Sequence, residues 1–162
     1  MGTTGSMLKR VLLPSVPLLY GSILWLTIAV AQDPGEQAVK AANHAYYAAL
    51  SARSSSEIED VWAHNVGVTD IFAVNPAPTV GRDRVNGAYD NLFARFPKLS
   101  VSMPEPMIRV KGDVALVVGV ETQEAELPNG SAVNAKLPAT NVFLKQGGKW
   151  LMIHHQTSRP PS

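Results

Sequence analysis

Val39, Ala42, Tyr46, Ala49 and Leu50 recur at steps of three and four, which draws one apolar stripe down a helix that follows the polar segment Gln32 to Gly35. Ser54-Ser55-Ser56-Glu57 interrupts that stripe. Ser54 and Glu57 have the spacing of a capping box, so a second, short helix starts there with Ile58, Val61 and Trp62 on one side. Val66 to Val74 reads as a strand, closed by Asn75-Pro76-Ala77-Pro78 because proline has no N–H for a ladder. Gly81 to Phe96 is the clearest helix, with Val85, Ala88, Tyr89, Leu92, Phe93 and Phe96 on its stripe and Pro97 as its stop.

Beyond Pro97 the period becomes extended, with strands expected at Leu99 to Val110, Val114 to Glu126, Ala132 to Lys145 and Lys149 to Ser158. Three helices followed by an antiparallel meander make an α+β domain. Asn129-Gly130 and Gly147-Gly148 each suit a two-residue type I′ loop. Counting outward from the second loop pairs Leu144 with Leu151, Val142 with Ile153 and Thr140 with His155; counting from the first pairs Gly119 with Thr140 and Glu121 with Pro138. Val117, Gly119 and Glu121 therefore share a face with Thr140 and His155, subject to a bulge near Pro138. The other face would carry Val118, Val120, Asn141, Phe143, Met152 and His154, too apolar for water, and a homodimer is its simplest cover.

The first residues stand apart from this plan. Lys9-Arg10 precede an apolar run from Val11 to Ala31 that ends in Ala29-Val30-Ala31, the layout of a secretory signal cleaved after Ala31. An uncleaved membrane anchor is the competing reading, and only then would the chain have a membrane partner; Pro14 and Pro17 weaken a continuous span. The expected product is one domain over residues 32–162, periplasmic or secreted. The whole chain has 14 basic and 13 acidic residues, and losing Lys9 and Arg10 with the leader leaves a formal charge of −1. A nearly neutral domain offers no footprint for nucleic acid. With no cysteine in the chain, disulfides, thiol chemistry, cysteine-ligated metals and a lipidated cysteine anchor are all excluded.

Tyr46-Tyr47-Ala48-Ala49-Leu50 on the first helix, Asp70 within Val68-Thr69-Asp70-Ile71-Phe72, and the ending Trp150-Leu151-Met152-Ile153-His154-His155-Gln156-Thr157-Ser158 together resemble the NTF2-like superfamily, in particular its SnoaL-like and ketosteroid-isomerase-like members. The resemblance implies a cone-shaped fold in which three N-terminal helices pack on a curved, mainly antiparallel sheet around an apolar pocket. It also implies Tyr46 as an oxyanion donor and Asp70 as the proton-shuttling base, with no cofactor. The family's third catalytic position, a protonated aspartate, falls on Thr140, a weaker donor that speaks against strict steroid isomerase activity.

On their own terms, Asp70 with His155 or Tyr46 would form an acid and base pair for proton abstraction beside a carbonyl. A carboxylate in such a strand loses hydration, and its pKa rises towards neutrality. The competing readings are Asp70 capping a turn or pairing with Arg82 or Arg84, and His155 as a hydrogen-bonded core histidine. The catalytic candidates are thus Asp70, Tyr46, His155 and Thr140, and the expected ligand-binding wall is Trp62, Phe72, Phe93, Val117, Gly119, Glu121 and Ile153. No metal site is expected, because His154 and His155, adjacent on a strand, point to opposite faces. His44 and His64 read as solvated or packed. Three functions fit: an exported isomerase, cyclase or dehydratase acting on a small hydrophobic carbonyl compound, a noncatalytic small-molecule binder, or a dimeric association module whose cavity is filled by its own side chains.

Overall fold

The computed structural model of the chain describes residues 1–2, 33–64, 67–75 and 77–159. The chain divides into two compact units, Met1–Val30 and Ala31–Ser162, and the described elements all lie in the second. The leader and its cleavage site after Ala31 fall outside the described residues. Among those described, no helix is long and apolar enough to cross a membrane.

Helix α1 spans Pro34–Ala52, α2 Ser55–Val61 and α3 Arg82–Arg95. Each boundary has a local cause. Asp33 caps α1 by accepting from the Gly35 N–H at 2.8 Å, and Pro34 supplies a preset φ at the first helical position. The helix stops at Arg53, which adopts φ 55°, a left-handed conformation costly for a side chain with a Cβ. The Arg53 guanidinium holds that turn by donating to the Phe93 and Pro97 carbonyls, both at 2.8 Å, which ties the end of α1 to the end of α3. Ser54 caps α2 through its hydroxyl, accepting from the Glu57 N–H at 3.3 Å; the Ser54 N–H itself goes to the Ala49 carbonyl at 3.1 Å. Only one half of the capping box is therefore made.

The strands are β1 Thr69–Ile71, β2 Thr79–Val80, β3 Lys98–Ser102, β4 Met107–Lys111, β5 Val114–Glu126, β6 Ala132–Gln146 and β7 Lys149–Thr157. They form one sheet in the order β2-β1-β7-β6-β5-β3, with β4 pairing the opening stretch of β5 on the edge that β3 pairs further along. The helices cover one face, and the core lies between: Val39, Tyr46 and Leu50 from α1, Val85, Tyr89 and Phe93 from α3, and Ala115, Val117, Phe143 and Met152 from the sheet. The fold is α+β, as the order of elements predicts.

Four details depart from the sequence reading. The strand expected over Val66 to Val74 is a three-residue segment that runs parallel to β7, so the sheet is mixed rather than a pure meander. It stops early because the Ala73 N–H turns to the Thr157 hydroxyl at 2.9 Å and the Asn75 N–H closes a turn onto the Phe72 carbonyl. Leu99 to Val110 is two strands, divided where Pro104 and Pro106 remove ladder donors. The β5–β6 connection is the five-residue loop Leu127 to Ser131 rather than a two-residue Asn129-Gly130 turn, so Glu126 pairs with Ala132 and Gly119 with Ala139. Finally, the β6–β7 register holds from Gln146 and Lys149 to Phe143 and Met152, then shifts by one, so that Val142 pairs with His154 and Asn141 with His155.

These shifts redistribute the faces. Asn141, Phe143 and Met152, expected on the outer surface, are fully buried under the helices, whereas Val118 and Val120 stay on the outer face with Leu116 and Met107, all exposed.

Candidate active site

The parallel pairing of β1 with β7 sets Asp70 directly beside His155, and β6 brings Glu121 of β5 towards the same ring. All three side chains are buried, at 0%, 1% and 1% exposure for Asp70, Glu121 and His155. The His155 Nδ1 lies 2.8 Å from Asp70 Oδ1 and its Nε2 lies 3.3 Å from Glu121 Oε2. A carboxylate can only accept, so both ring nitrogens carry protons and the ring is an imidazolium between two acids. Burial pulls His155 down, but the Asp70 charge and hydrogen bond, followed by those of Glu121, push it up to about 10. Burial also raises Glu121, yet the His155 hydrogen bond and charge, with bonds from Gln123 and Tyr47, hold it below its ordinary value.

Tyrosines enclose this group. The Tyr46 and Tyr89 hydroxyls are 2.9 Å apart, and the Tyr46 ring lies 5.2 Å from the His155 ring. Burial first, then the Tyr89 hydroxyl and the Asp70 and Glu121 charges for Tyr46, and the Asp70 charge for Tyr89 against a lowering bond from Tyr46, keep both well above the usual tyrosine value, so both remain neutral donors. On the side towards β6, Asn141 Nδ2 donates to Asn43 Oδ1 at 2.7 Å and to the Tyr47 hydroxyl at 3.2 Å.

A small inner cavity reaches the group, and a larger outer chamber shares part of its wall. An outer chamber of about 600 Å³ lies between α3 and the far halves of β5 and β6, within the range that encloses a drug-sized molecule. A small inner cavity of about 40 Å³ ends on Tyr46, Glu121 and His155, room for one carbonyl or hydroxyl group. The two share the walls Phe72, Leu92, Phe96, Gln123 and Val133. Asp70 borders neither. It sits behind His155, with its Oδ2 left without a hydrogen-bond partner.

The sequence candidates divide accordingly. Asp70, His155 and Tyr46 come together, and Glu121, expected on the ligand wall, joins them as the second acid. Arg82 is not the partner of Asp70, since its guanidinium reaches the Glu59 carbonyl at 2.8 Å. Thr140 is not in the site. It pairs with Val118 on the outer face, and Asn141 takes the inward place. Of the expected ligand wall, Phe72 lines both cavities. Trp62, Phe93 and Val117 are core, Gly119 lies under Met103, and Ile153 sits at the register shift; none of these five borders either cavity. Tyr89, Gln123 and the chamber strand Val133, Ala135, Leu137 were missed. Their signals were present: Tyr89 lies mid-stripe on the third helix, and Val133, Ala135 and Leu137 alternate with Asn134 and Lys136.

Residues 39–162 match the SnoaL-like domain family. Among solved structures, a proposed dehydratase of the NTF2-like family from Streptomyces avermitilis superposes with a TM-score of 0.73 at 23% identity, over 78% of this chain and 97% of that one. An NTF2-like superfamily protein from Salmonella enterica gives 0.72 at 16% identity, over 78% and 92%. A ketosteroid isomerase-like protein from Erwinia carotovora gives 0.68 at 16%, over 80% and 99%. At these identities the likeness is one of fold. No curated protein matches the chain.

Proposed function

The chain belongs to the SnoaL-like domain family, and from that premise we propose that it is an acid–base enzyme that enolises a small hydrophobic carbonyl compound, as an isomerase, cyclase or dehydratase. One observation carries this reading: a buried imidazolium held by Asp70 at 2.8 Å and more loosely by Glu121 at 3.3 Å, at the inner end of an apolar cavity. The looser contact is the exchangeable one. A substrate oxygen entering the inner cavity replaces Glu121 as the acceptor of the Nε2 proton, and Glu121, released, becomes the base.

Glu121 then takes the proton α to the carbonyl, the C–H pair becomes the enol double bond, and His155 gives its Nε2 proton to the carbonyl oxygen. Returning the proton to another carbon isomerises the substrate. Where a β-hydroxyl is present, the enol oxygen returns its proton to His155 Nε2, which passes it to the departing hydroxyl as water while the enol pair becomes the Cα=Cβ double bond and the carbonyl is restored. Asp70 is a positioning residue, fixing the ring through Nδ1 and supporting its charge, and Tyr46 supplies a further neutral donor at the oxygen. The protein's part is proton transfer alone, and these residues supply both donor and acceptor.

Solvent deuterium exchange into the α position of a panel of aromatic and alicyclic β-hydroxy ketones tests this by NMR. The expected result is exchange by the wild type, lost about 10²–10⁴-fold in Glu121→Gln, the usual worth of one general base. Exchange undiminished in that variant overturns the assignment. The reading includes export and assembly. Lys9-Arg10, the apolar run and Ala29-Val30-Ala31 support a chain exported with cleavage after Ala31, which intact mass of the exported product checks. The exposed Met107, Leu116, Val118 and Val120 on one sheet face support a homodimer through it. A chamber of about 600 Å³ speaks against the module filled by its own side chains.

A further inference from the structure

The outer chamber carries two cations for which the proton chemistry has no use. Arg95, in the last turn of α3, and Arg159, just beyond β7, both line it. Neither makes an ion pair with a described carboxylate. Among the described residues no acid lines the chamber. On β5 the wall residue Gln123 is followed by Glu124 on the opposite side of the strand, and Glu126 is taken by Lys98 at 2.9 Å. Arg95 lies 5.4 Å from the Phe96 ring centroid, which holds a guanidinium against an apolar wall of the chamber.

The inner end has the opposite sign. There two carboxylates face one imidazolium, so a negative charge remains in excess, and among the described residues no cation borders the inner cavity except His155 itself. An anion is repelled from that end and attracted to the mouth. Guanidinium groups left unpaired beside apolar surface are suited to a carboxylate, which they can meet in a bidentate fork.

From this polarity we infer that the chamber takes an amphipathic carboxylic acid, with its carboxylate at Arg95 and Arg159, its apolar body against Phe96 and Leu137, and its neutral carbonyl end directed to His155. This deepens the enolisation reading and rests on it for the identity of the inner end. The charge polarity also fixes the direction of entry, since the reversed pose would set the carboxylate against Glu121.

The test compares 2-naphthylacetate with its neutral analogue 2-naphthylacetamide by titration calorimetry on the full chain at low salt. The acid is expected to bind about tenfold tighter, the combined worth of two partly exposed ion pairs. In the Arg95→Gln/Arg159→Gln double variant the ratio falls to about one while the amide is unaffected, consistent with loss of those pairs alone. Ala88→Trp, which fills the chamber, removes both ligands with the circular dichroism spectrum unchanged. Equal binding of acid and amide, no binding of either, a ratio that survives the double variant, or binding that survives Ala88→Trp overturns the inference. Glu121→Gln separates it from the chemistry. Exchange lost with the ratio intact leaves the carboxylate end standing, and a ratio absent from a wild type that still exchanges removes the carboxylate end alone.

Discussion

Asp70→Asn removes the shorter of the two contacts that hold the buried imidazolium, and its cost follows from the proton on His155. Raising that ring from its ordinary 6.5 to about 10 on folding ties about 5 kcal/mol of stability to the bound proton, at about 1.4 kcal/mol per tenfold change in affinity. The folded state keeps a proton that the unfolded chain releases near 6.5, so this stability is whole below that pH and is gone once pH passes about 10. Between those limits it falls by about 1.4 kcal/mol per pH unit. With the Asp70 charge removed, an amide oxygen can still accept from Nδ1, but the only carboxylate left on the ring is Glu121 at 3.3 Å. A buried charge stripped of its main partner costs about 3–5 kcal/mol, a large part of the roughly 5–15 kcal/mol that holds a domain together. Urea unfolding followed by tryptophan fluorescence at pH 6, 7.5 and 9 measures both effects. The wild type should lose stability from pH 7.5 to 9, while Asp70→Asn starts lower and falls less steeply. A wild type whose stability does not change between pH 7.5 and 9, or an ¹⁵N spectrum that shows a neutral His155 ring at pH 7.5, refutes the bridged imidazolium.

Further outcomes follow from the faces of the sheet. Phe143→Ala opens a hole in a fully buried position and should lower stability by about 3–5 kcal/mol in urea titrations, with the pH slope unchanged because a phenyl side chain neither holds a proton nor accepts one from His155. Thr140→Val should leave deuterium exchange at the wild-type rate, since Thr140 shares the outer face with Val118. Asn141→Leu leaves Asn43 Oδ1 without its donor and should cost about 1–3 kcal/mol by thermal or urea unfolding. Val120→Glu, at a position 49% exposed, should halve the mass measured by light scattering while changing the unfolding free energy by no more than about 0.5 kcal/mol per chain, as exposed substitutions do. A wild type that already elutes as a monomer at micromolar concentration removes the dimer.

The helices were legible because their causes are local. Three- and four-residue spacing, a serine cap and Pro97 act within one or two turns, and α3 lies within one residue of its expected ends. The long strands β5 and β7 were legible for the same reason, through period-two alternation bounded by glycine turns. What was not legible depends on distant partners. The strand expected from Val66 to Val74 is present as β1, but its short extent and parallel direction are set by β7 alongside it. β2 is two residues long and exists through its pairing with β1. The single strand drawn from Leu99 to Val110 overlooked that Pro104 and Pro106 each withhold a donor, although that signal was in the chain.

The candidate site shows how far parity alone can carry a reading. Two errors entered β6: the Asn129-Gly130 loop was taken as two residues when it closes over five, and the register shift between Val142 and Phe143 was not placed. Each error displaces a partner by one, which sends a side chain to the opposite face. Along the path from β7 across β6 to β5 the two displacements cancel. His155 is bound through Asn141 to Val117 rather than through Thr140 to Gly119, and Val117, Gly119 and Glu121 have the same parity. The shared face of His155 and Glu121 therefore agrees with the structure, while the strand between them is turned over, so Thr140 stood in for Asn141, and Phe143, with Met152 of β7, was expected on the face that a homodimer would cover. The same displacement explains the apparent departure from the family at Thr140: its hydroxyl never meets the cavity. The polar group that does face inward there, Asn141, spends its donor on Asn43 and Tyr47, which leaves His155, Glu121 and Tyr46 as the donors and acceptor of the proposed chemistry.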